Sequence, residues 1–301
     1  MTAGKGGTVF AILVTGFIAA SVYGWPWAFC LFGIIGIIWC ICMVFFGYDV
    51  PAKDPRISLT ERKYIEESTG IAEHHVETPW KKIIKSKHVW ALFVAQTGNN
   101  YCFWTLLTQI PTYMNYVMNF DMKHNSILSA LPYLTFWLLG FVFGPISDIL
   151  INKGVVTRGG ARKICNSIGL MVPAAALIAL GFTSQDRQVQ GVILLIIAVG
   201  FNAACFSGFA VNHMDLSPNH AGILMGLCNG CSQITGVLAP IIVQLFVPNL
   251  RDHLQWRNVF FLAASINVST AVIFILFGSG EVQPWDIEDA EENKEDKKCQ
   301  L

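Results

Sequence analysis

The chain has 301 residues, of which 53% are hydrophobic and only 13% are charged, and its mean hydropathy is +0.51. Soluble domains carry about 25% charged residues, so this composition argues against a soluble globular protein. Lysine and arginine together number 20, as do aspartate and glutamate, so the net charge is uninformative. No basic patch for nucleic acid is found in the sequence.

Eight apolar segments are long enough to cross a bilayer, which takes about 20 residues in a helix. In chain order they cover residues 8–23, 26–47, 88–112, 126–147, 164–183, 190–212, 221–246 and 258–277. Backbone groups in lipid must bond within the protein, so helices are expected for all eight. The sequence therefore predicts an all-α, polytopic membrane protein.

A motif that opens the second segment recurs at the start of the eighth. GWPWAF and QWRNVF align with a shift of 231 positions, which pairs Trp25 with Trp256 and Phe29 with Phe260. Transporters are often built from two six-helix halves, so the repeat indicates the last helix of each half. Aromatic residues that mark the membrane interface would also explain the match.

The repeat predicts an incomplete first half and a complete second half. Residues 1–47 form the remnant of a first six-helix bundle, with its helices at 8–23 and 26–47. Residues 48–87 form a cytoplasmic linker, 88–278 the whole second bundle, and 279–301 a disordered cytoplasmic tail. Within the linker, the pattern Ser58-Leu-Thr-Glu61 predicts the capped start of a short helix.

Basic residues are distributed unequally between the two sides of the predicted membrane. With eight spans, the side that holds both termini carries sixteen lysines and arginines, and the opposite side carries four. Basic loops stay cytoplasmic, so both termini of this multi-pass protein are expected in the cytoplasm. Whether the membrane is the plasma membrane or a vesicular or lysosomal one is left open.

Polar and aromatic side chains form a stripe on the third span. On a helical wheel the stripe covers about 140°. Its members are Gln96, Thr97, Asn100, Tyr101, Trp104 and Thr108. The seventh span adds Asn229 and Gln233 on one face. These residues are interpreted as the wall of a substrate cavity, with hydrogen bonding between membrane helices as the alternative.

Small residues follow a four-residue spacing on two spans. Gly222, Gly226 and Gly230 lie on the seventh span, and Gly140 and Gly144 on the fourth. This spacing lets a neighbouring helix approach closely, so helix packing is the predicted role.

The loop after the fourth span carries an acid and several bases. Asp148, Arg158 and Arg162 are predicted to form a gate whose ion pairs break when the cytoplasmic side opens. For the arginines, the rule that basic residues stay inside is an alternative explanation. His213 and Asp215, near the end of the sixth span, are interpreted as part of a turn and cap rather than as a proton relay or metal site.

Other chemistry finds no support in the sequence. The eight predicted spans contain no Asp, Glu, Lys or Arg, so no site for a coupled proton is expected within them. The pair Cys228 and Cys231 lacks the strand and helix setting of a redox motif. No span pairs a nucleophile with a base, so an enzyme is not expected. No third ligand accompanies His213 and Asp215, so a metal site is not expected, and no cofactor is expected. The coupling ion is left open between Na⁺ and H⁺.

Several stretches resemble one family of membrane carriers. They are GWPWAF, FGIIGIIW, PAKDPRIS, ERKYIEES, LLTQIPTYM, LSALPYL, VNHMDLSPNHAGILMGLCNG and SGEVQPW. The chain looks similar to the anion–cation symporter branch of the major facilitator superfamily. That branch includes vesicular glutamate transporters, sialin and type I sodium–phosphate cotransporters, and insect inorganic phosphate cotransporters look most similar.

The resemblance implies twelve spans, of which eight are present, and therefore an N-terminally truncated carrier. It implies symport of small anions, inorganic phosphate or organic anions, by alternating access. Asn99 aligns with an arginine of the vesicular glutamate carriers, which disfavours glutamate. The alternative is a non-transporting form that acts as a partner or remnant of the full carrier. The expected surroundings are a lipid bilayer and a small anion, with the oligomeric state left open.

Overall fold

The computed structural model describes residues 2–22, 24–48, 53–69, 78–118, 120, 122–184 and 186–286. Within these ranges the regular structure is entirely helical. The helices are α1 (Thr2–Ala19), α2 (Pro26–Phe46), α3 (Leu59–Thr69), α4 (Trp80–Lys85), α5 (Lys87–Tyr116), α6 (Met122–Asn152), α7 (Arg158–Gly181), α8 (Gln188–Phe201), α9 (Phe209–Leu216), α10 (Ala221–Ser232), α11 (Ile234–Phe246) and α12 (His253–Phe277). A 3₁₀ stretch, Asn202–Phe206, follows α8 directly. The tail predicted at 279–301 is described only as far as residue 286.

The chain divides into two compact units, residues 1–17 with 78–301 and residues 18–77. In the first unit, Val9 of α1 belongs to the main apolar core. Gly6 lies so close to Trp137 of α6 that an added Cβ would sit 3.2 Å from the indole ring. The two units therefore part within α1 rather than at residue 47. The division into a first-half remnant and a second half stays a prediction.

The second unit contains α2 and α3. In α2 only Ala28 is buried, and large apolar side chains are exposed around the whole helix. A helix that is apolar all round is typical of a membrane span. At the start of α3, the Glu61 backbone N–H donates to Ser58 Oγ at 3.2 Å, which confirms the predicted cap.

The core of the first unit is built around α12. This helix packs mainly on α7 and α5, α7 packs on α8, and α5 also contacts α10 and α11. Trp256 is fully buried, and the Tyr113 ring meets Trp256 and Phe260 edge to face, with centroids 5.4 and 5.1 Å away. Its counterpart Trp25 in the repeated motif is 67% exposed. The shared motif therefore has a core environment in only one of its two copies.

Among the described residues, six helical segments are long and apolar enough to cross a membrane. They are Pro26–Phe46, Ile127–Asn152, Arg158–Gly181, Gln188–Leu216, Ala221–Phe246 and His253–Phe277, and Gly6–Ala19 is a shorter apolar helix. The chain is therefore an integral, multi-pass membrane protein. The predicted third span lies in α5, whose 30 residues are long enough but carry the polar stripe. The total of eight spans stays a prediction.

Two spans predicted as continuous helices are interrupted. The segment 190–212 runs through α8, the 3₁₀ stretch and into α9, and the segment 221–246 is divided between α10 and α11 at Gln233. At the first interruption, α7 comes very close. A Cβ on Gly169 would lie 2.5 Å from Cys205 Sγ and 2.7 Å from the Cys205 backbone nitrogen. Interrupted spans free backbone groups within the membrane, and such places are common at transport sites.

Candidate functional site

The polar stripe of α5 faces the junction of α10 and α11. Three side-chain hydrogen bonds join the helices there, and we call this set the polar seam. It comprises Gln96, Asn100, Trp104, Asn229, Ser232 and Gln233. Asn100 Nδ2 donates to Ser232 Oγ at 2.7 Å, and Trp104 Nε1 donates to Gln233 Oε1 at 2.9 Å. The interruption between α10 and α11 thus lies directly opposite the stripe.

The third bond completes a small network at one end of the seam. Gln96 Nε2 donates to Asn229 Oδ1 at 3.2 Å, and Gln233 Nε2 approaches the same oxygen at 3.4 Å. Gln96 is only 5% exposed, whereas Asn229 and Gln233 are exposed. In all three cross-helix bonds, α5 supplies the N–H donor and α10 or the junction supplies the oxygen acceptor. A ligand that accepts hydrogen bonds would compete for those donors.

Two predicted cavity residues lie outside the seam. Tyr101 is 4% exposed and belongs to the main apolar core. Thr108 is exposed, and its hydroxyl donates to the Trp104 carbonyl oxygen one turn earlier, at 2.8 Å. Ser232 belongs to the seam although the sequence pattern did not single it out. Its position one helical turn after Asn229 is the signal that would have found it.

A second buried polar contact lies at the interruption after α8. Asn202 Nδ2 donates to Asn99 Oδ1 on α5 at 2.7 Å and to the Gly169 carbonyl oxygen on α7 at 3.0 Å. Both asparagines are at least nine-tenths buried. Asn99 is the residue that the family resemblance pairs with an arginine of the vesicular glutamate carriers. The structure shows that its amide oxygen is occupied by the amide of the broken span.

One arginine of the predicted gate forms a buried ion pair. Arg162 Nε lies 2.7 Å from Asp215 Oδ2, and Arg162 Nη1 donates to the Ser207 carbonyl oxygen at 3.0 Å. The side chains of Arg162 and Asp215 are 8% and 7% exposed. The pair therefore ties the start of α7 to α9 and satisfies a carbonyl that the interrupted helix leaves free. Arg158 adds a longer contact to Asp215, at 3.8 Å, but is 59% exposed.

The two arginines of the predicted gate face an acidic residue other than Asp148, and the gate itself stays a prediction. Asp148 is exposed, and among the described residues the carboxylate that faces both arginines belongs to Asp215. Asp215, interpreted from sequence as part of a turn and cap, is therefore the partner of Arg162. The two residues are 53 positions apart, so local spacing gave no sign of the contact.

Four of the five glycines predicted for helix packing have open space where a Cβ would lie. A Cβ added to Gly222, Gly226, Gly230 or Gly144 would meet nothing within 4 Å, and Gly140 is half-buried. The described part of the chain thus places no helix against the stripe on α10, and the packing role stays a prediction. Close approaches occur instead at glycines that the spacing did not single out, such as Gly169 and Gly208.

Residues 278–286 cross the ends of the helices as a strap, which we call the C-terminal strap. Asn212 Nδ2 donates to the Ser279 carbonyl oxygen at 2.7 Å, and the Gln283 N–H donates to the Leu216 carbonyl oxygen at 2.9 Å. Gly159 and Gly280 meet backbone to backbone. A Cβ on Gly280 would collide with the Gly159 backbone, and a Cβ on Gly159 would lie 3.0 Å from the Gly280 nitrogen. The strap therefore fixes the segment that carries Asp215.

The buried carboxylate of Asp286 attaches the end of the C-terminal strap to the segment that follows α9. Asp286 accepts a hydrogen bond from Ser217 Oγ, and His220 Nδ1 lies 2.9 Å from the same oxygen. Asn219 Nδ2 donates to the second carboxylate oxygen at 3.2 Å. His220 and Asp286 are 1% and 2% exposed. Two of the sequence stretches that carry the family resemblance, VNHMDLSPNHAG and SGEVQPW, thus meet in space.

A bundle of membrane spans with interrupted helices and polar contacts between them is an architecture that many polytopic transporters share. The profile of the Major Facilitator Superfamily matches residues 1–240, and the chain belongs to this family.

Relatives of the chain have names that describe carriers. It is 39% identical to the "Putative inorganic phosphate cotransporter" of Drosophila ananassae, over 96% of this chain and 61% of that protein. It is 38% identical to human sialin, over 94% and 57%, and 36% identical to bovine vesicular glutamate transporter 2, over 97% and 50%. The chain thus spans 50–61% of the length of these relatives.

Proposed function

We propose that the chain carries small anions across a membrane as part of a secondary symporter that works by alternating access. Membership of the facilitator family and the names of the relatives support this class of activity. Inorganic phosphate is the first substrate to test and an organic anion the second. No enzyme activity is proposed, since the names of the phosphate and glutamate relatives describe transport.

The polar seam is the observation that carries the proposal. Its three cross-helix bonds all use N–H donors from α5, namely Gln96, Asn100 and Trp104. If α5 moves away from the α10–α11 junction, these donors are released together on one helix face. An anion that accepts several hydrogen bonds would then replace the lost acceptors, so substrate binding and helix movement would be coupled.

The Arg162–Asp215 pair is proposed as the gate. It joins α7 to α9 at the end of the bundle that carries the C-terminal strap. A buried ion pair is costly to break without new partners, so it favours the closed arrangement until movement elsewhere compensates. Arg158, which is mostly exposed, would stabilise Asp215 less.

Uptake by the purified chain in proteoliposomes tests the proposal. We expect uptake of radiolabelled phosphate when a Na⁺ or H⁺ gradient is applied, and applying each gradient alone identifies the coupling ion. Replacing Asn100→Leu and Trp104→Phe together removes two donors and should reduce uptake at least tenfold, since each bond contributes about 1 kcal/mol. Gln190→Leu, an exposed amide at the start of α8, is the matched control and should transport normally.

Three results would count against the proposal or refine it. Faster uptake of glutamate than of phosphate would make an organic anion the substrate. Full uptake by the double variant would remove the seam from the substrate path. No uptake of either anion, from a chain whose helix content is intact, would favour the non-transporting partner or remnant.

A further inference from the structure

An apolar cavity lies where α4 meets α5 and α10. Its volume is about 320 Å³, within the range of pockets that hold small ligands. Its lining residues are Trp80, Ile83, Ile84, Val89, Trp90, Phe93, Leu227, Cys228 and Cys231. None of these side chains is charged, so the cavity suits a hydrocarbon chain. We call it the α4 pocket.

The short helix α4 is fixed by its buried side and open on its other side. Ile83 is 1% exposed and packs in a cluster with Val89, Leu224 and Trp285. Trp80 and Ile84, which line the pocket, are each more than half exposed. Trp90 is also half exposed, and its Nε1 donates to the Ile84 carbonyl oxygen at 2.7 Å. Exposed tryptophans are typical of the interface between hydrocarbon and headgroups.

The helix α4, which lines the pocket, also carries basic side chains. Lys81 and Lys85 are four residues apart, so they lie on one side of α4, about 60° and 100° around the helix from Ile84. Both are exposed, and Lys87 follows directly at the start of α5. A basic cluster beside an apolar pocket at a membrane surface is the pattern that binds anionic lipid headgroups.

The α4 pocket is separate from the proposed substrate wall. At 100° per residue, Leu227 and Cys231 lie roughly 140–180° around α10 from Gly222. Asn229 lies on the same face of α10 as Gly222, about 20° away around the helix. The pocket thus occupies the opposite side of α10, and its occupant need not enter the polar seam.

We propose that the α4 pocket binds one acyl chain of an anionic phospholipid, whose phosphate group contacts Lys81 and Lys85. The apolar lining holds the chain, the exposed tryptophans lie at the level of the headgroup, and the lysines select negative charge. The occupant is a bilayer lipid rather than free phosphate, because the cavity itself offers no polar partner. This inference is independent of whether the chain transports phosphate.

Quenching of tryptophan fluorescence by brominated lipids tests the site, since Trp80 and Trp90 line it. The full chain is reconstituted with phosphatidylcholine that contains a small fraction of either brominated phosphatidylserine or brominated phosphatidylcholine. The signal of the site is the difference between the natural chain and the Trp80→Phe/Trp90→Phe variant. We expect brominated phosphatidylserine to quench this difference signal at a concentration on the order of tenfold lower than brominated phosphatidylcholine does. The reason is that two lysines near the headgroup attract the anionic lipid.

Three variants separate the parts of the proposal. Lys81→Gln/Lys85→Gln should abolish the preference for phosphatidylserine, and Lys153→Gln, an exposed lysine after α6, should retain it. Cys231→Phe should fill the pocket and reduce quenching by both lipids. Circular dichroism confirms that each variant is folded. Equal quenching by the two lipids, or a preference that persists without Lys81 and Lys85, would overturn the inference.

Discussion

At the scale of single residues, the buried ion pair between Arg162 and Asp215 is the contact with the largest expected effect on stability. Removing one partner leaves the other charge buried with little compensation, since the remaining contact of Asp215 is the mostly exposed Arg158 at 3.8 Å. The carbonyl oxygen of Ser207 would also lose its donor. The pair therefore stabilises the interrupted span as well as the end of the bundle.

We expect Arg162→Gln to lower the free energy of unfolding by about 3 kcal/mol, because Asp215 is left buried without a full charge partner. Arg158→Gln, at a mostly exposed position, should change it by less than about 1 kcal/mol. Thermal unfolding in detergent, followed by circular dichroism, measures both. The Arg162→Gln/Asp215→Asn double variant should lose less free energy of unfolding than the two single variants lose in sum. A loss equal to that sum would show that the two residues are not coupled.

Asn202 shows why single residues at the interruption matter. Its one amide nitrogen supplies hydrogen bonds to α5 and to α7. Asn99 could be selected from sequence only by comparison with other carriers, since an asparagine in a membrane helix has many uses. Its pairing with a residue 103 positions later could not be predicted from spacing.

At the scale of elements, the broken α8–α9 span depends on close approach by α7. Gly169 lies against Cys205 of the 3₁₀ stretch, where a methyl group would collide with both backbone and sulfur. The glycines of α10 have the regular spacing of a packing motif but face open space. Spacing alone therefore did not identify the glycines that the fold requires.

Gly169→Ala and Gly226→Ala form a matched pair that tests this difference. The first should lower the free energy of unfolding by about 2 kcal/mol through overpacking. The second should leave it unchanged or raise it by about 0.5 kcal/mol, since alanine is the better helix former. Thermal unfolding midpoints in one detergent measure both changes. Equal effects of the two substitutions would contradict the packing described for α7.

At the scale of the whole molecule, the distribution of basic residues predicts the orientation of the chain in the membrane. The turn between α6 and α7, taken with the start of α7, contains Lys153, Arg158, Arg162 and Lys163. The turn between α11 and α12, taken with the start of α12, contains Arg251 and Arg257. The inside-positive bias therefore predicts that the first of these turns lies in the cytoplasm and the second on the other side of the membrane.

Protease sites inserted into these two loops measure the orientation in sealed cells. A site after Gly154 should be protected from external protease, and a site after Asn249 should be cut. Permeabilised cells should show cleavage at both, which controls for access to the loops. The reverse pattern in sealed cells would invert the proposed orientation.

The sequence by itself determined the helical membrane fold, the positions of the apolar segments and the polar stripe on α5. Each depends on composition or on helical period, which are properties of neighbouring residues. The tertiary structure alone decided that Ser232 completes the polar seam, that Asp215 rather than Asp148 pairs with Arg162, and that Asp286 closes the strap over His220. Those contacts join residues more than 50 positions apart, and they form only because packing brings separate helices together.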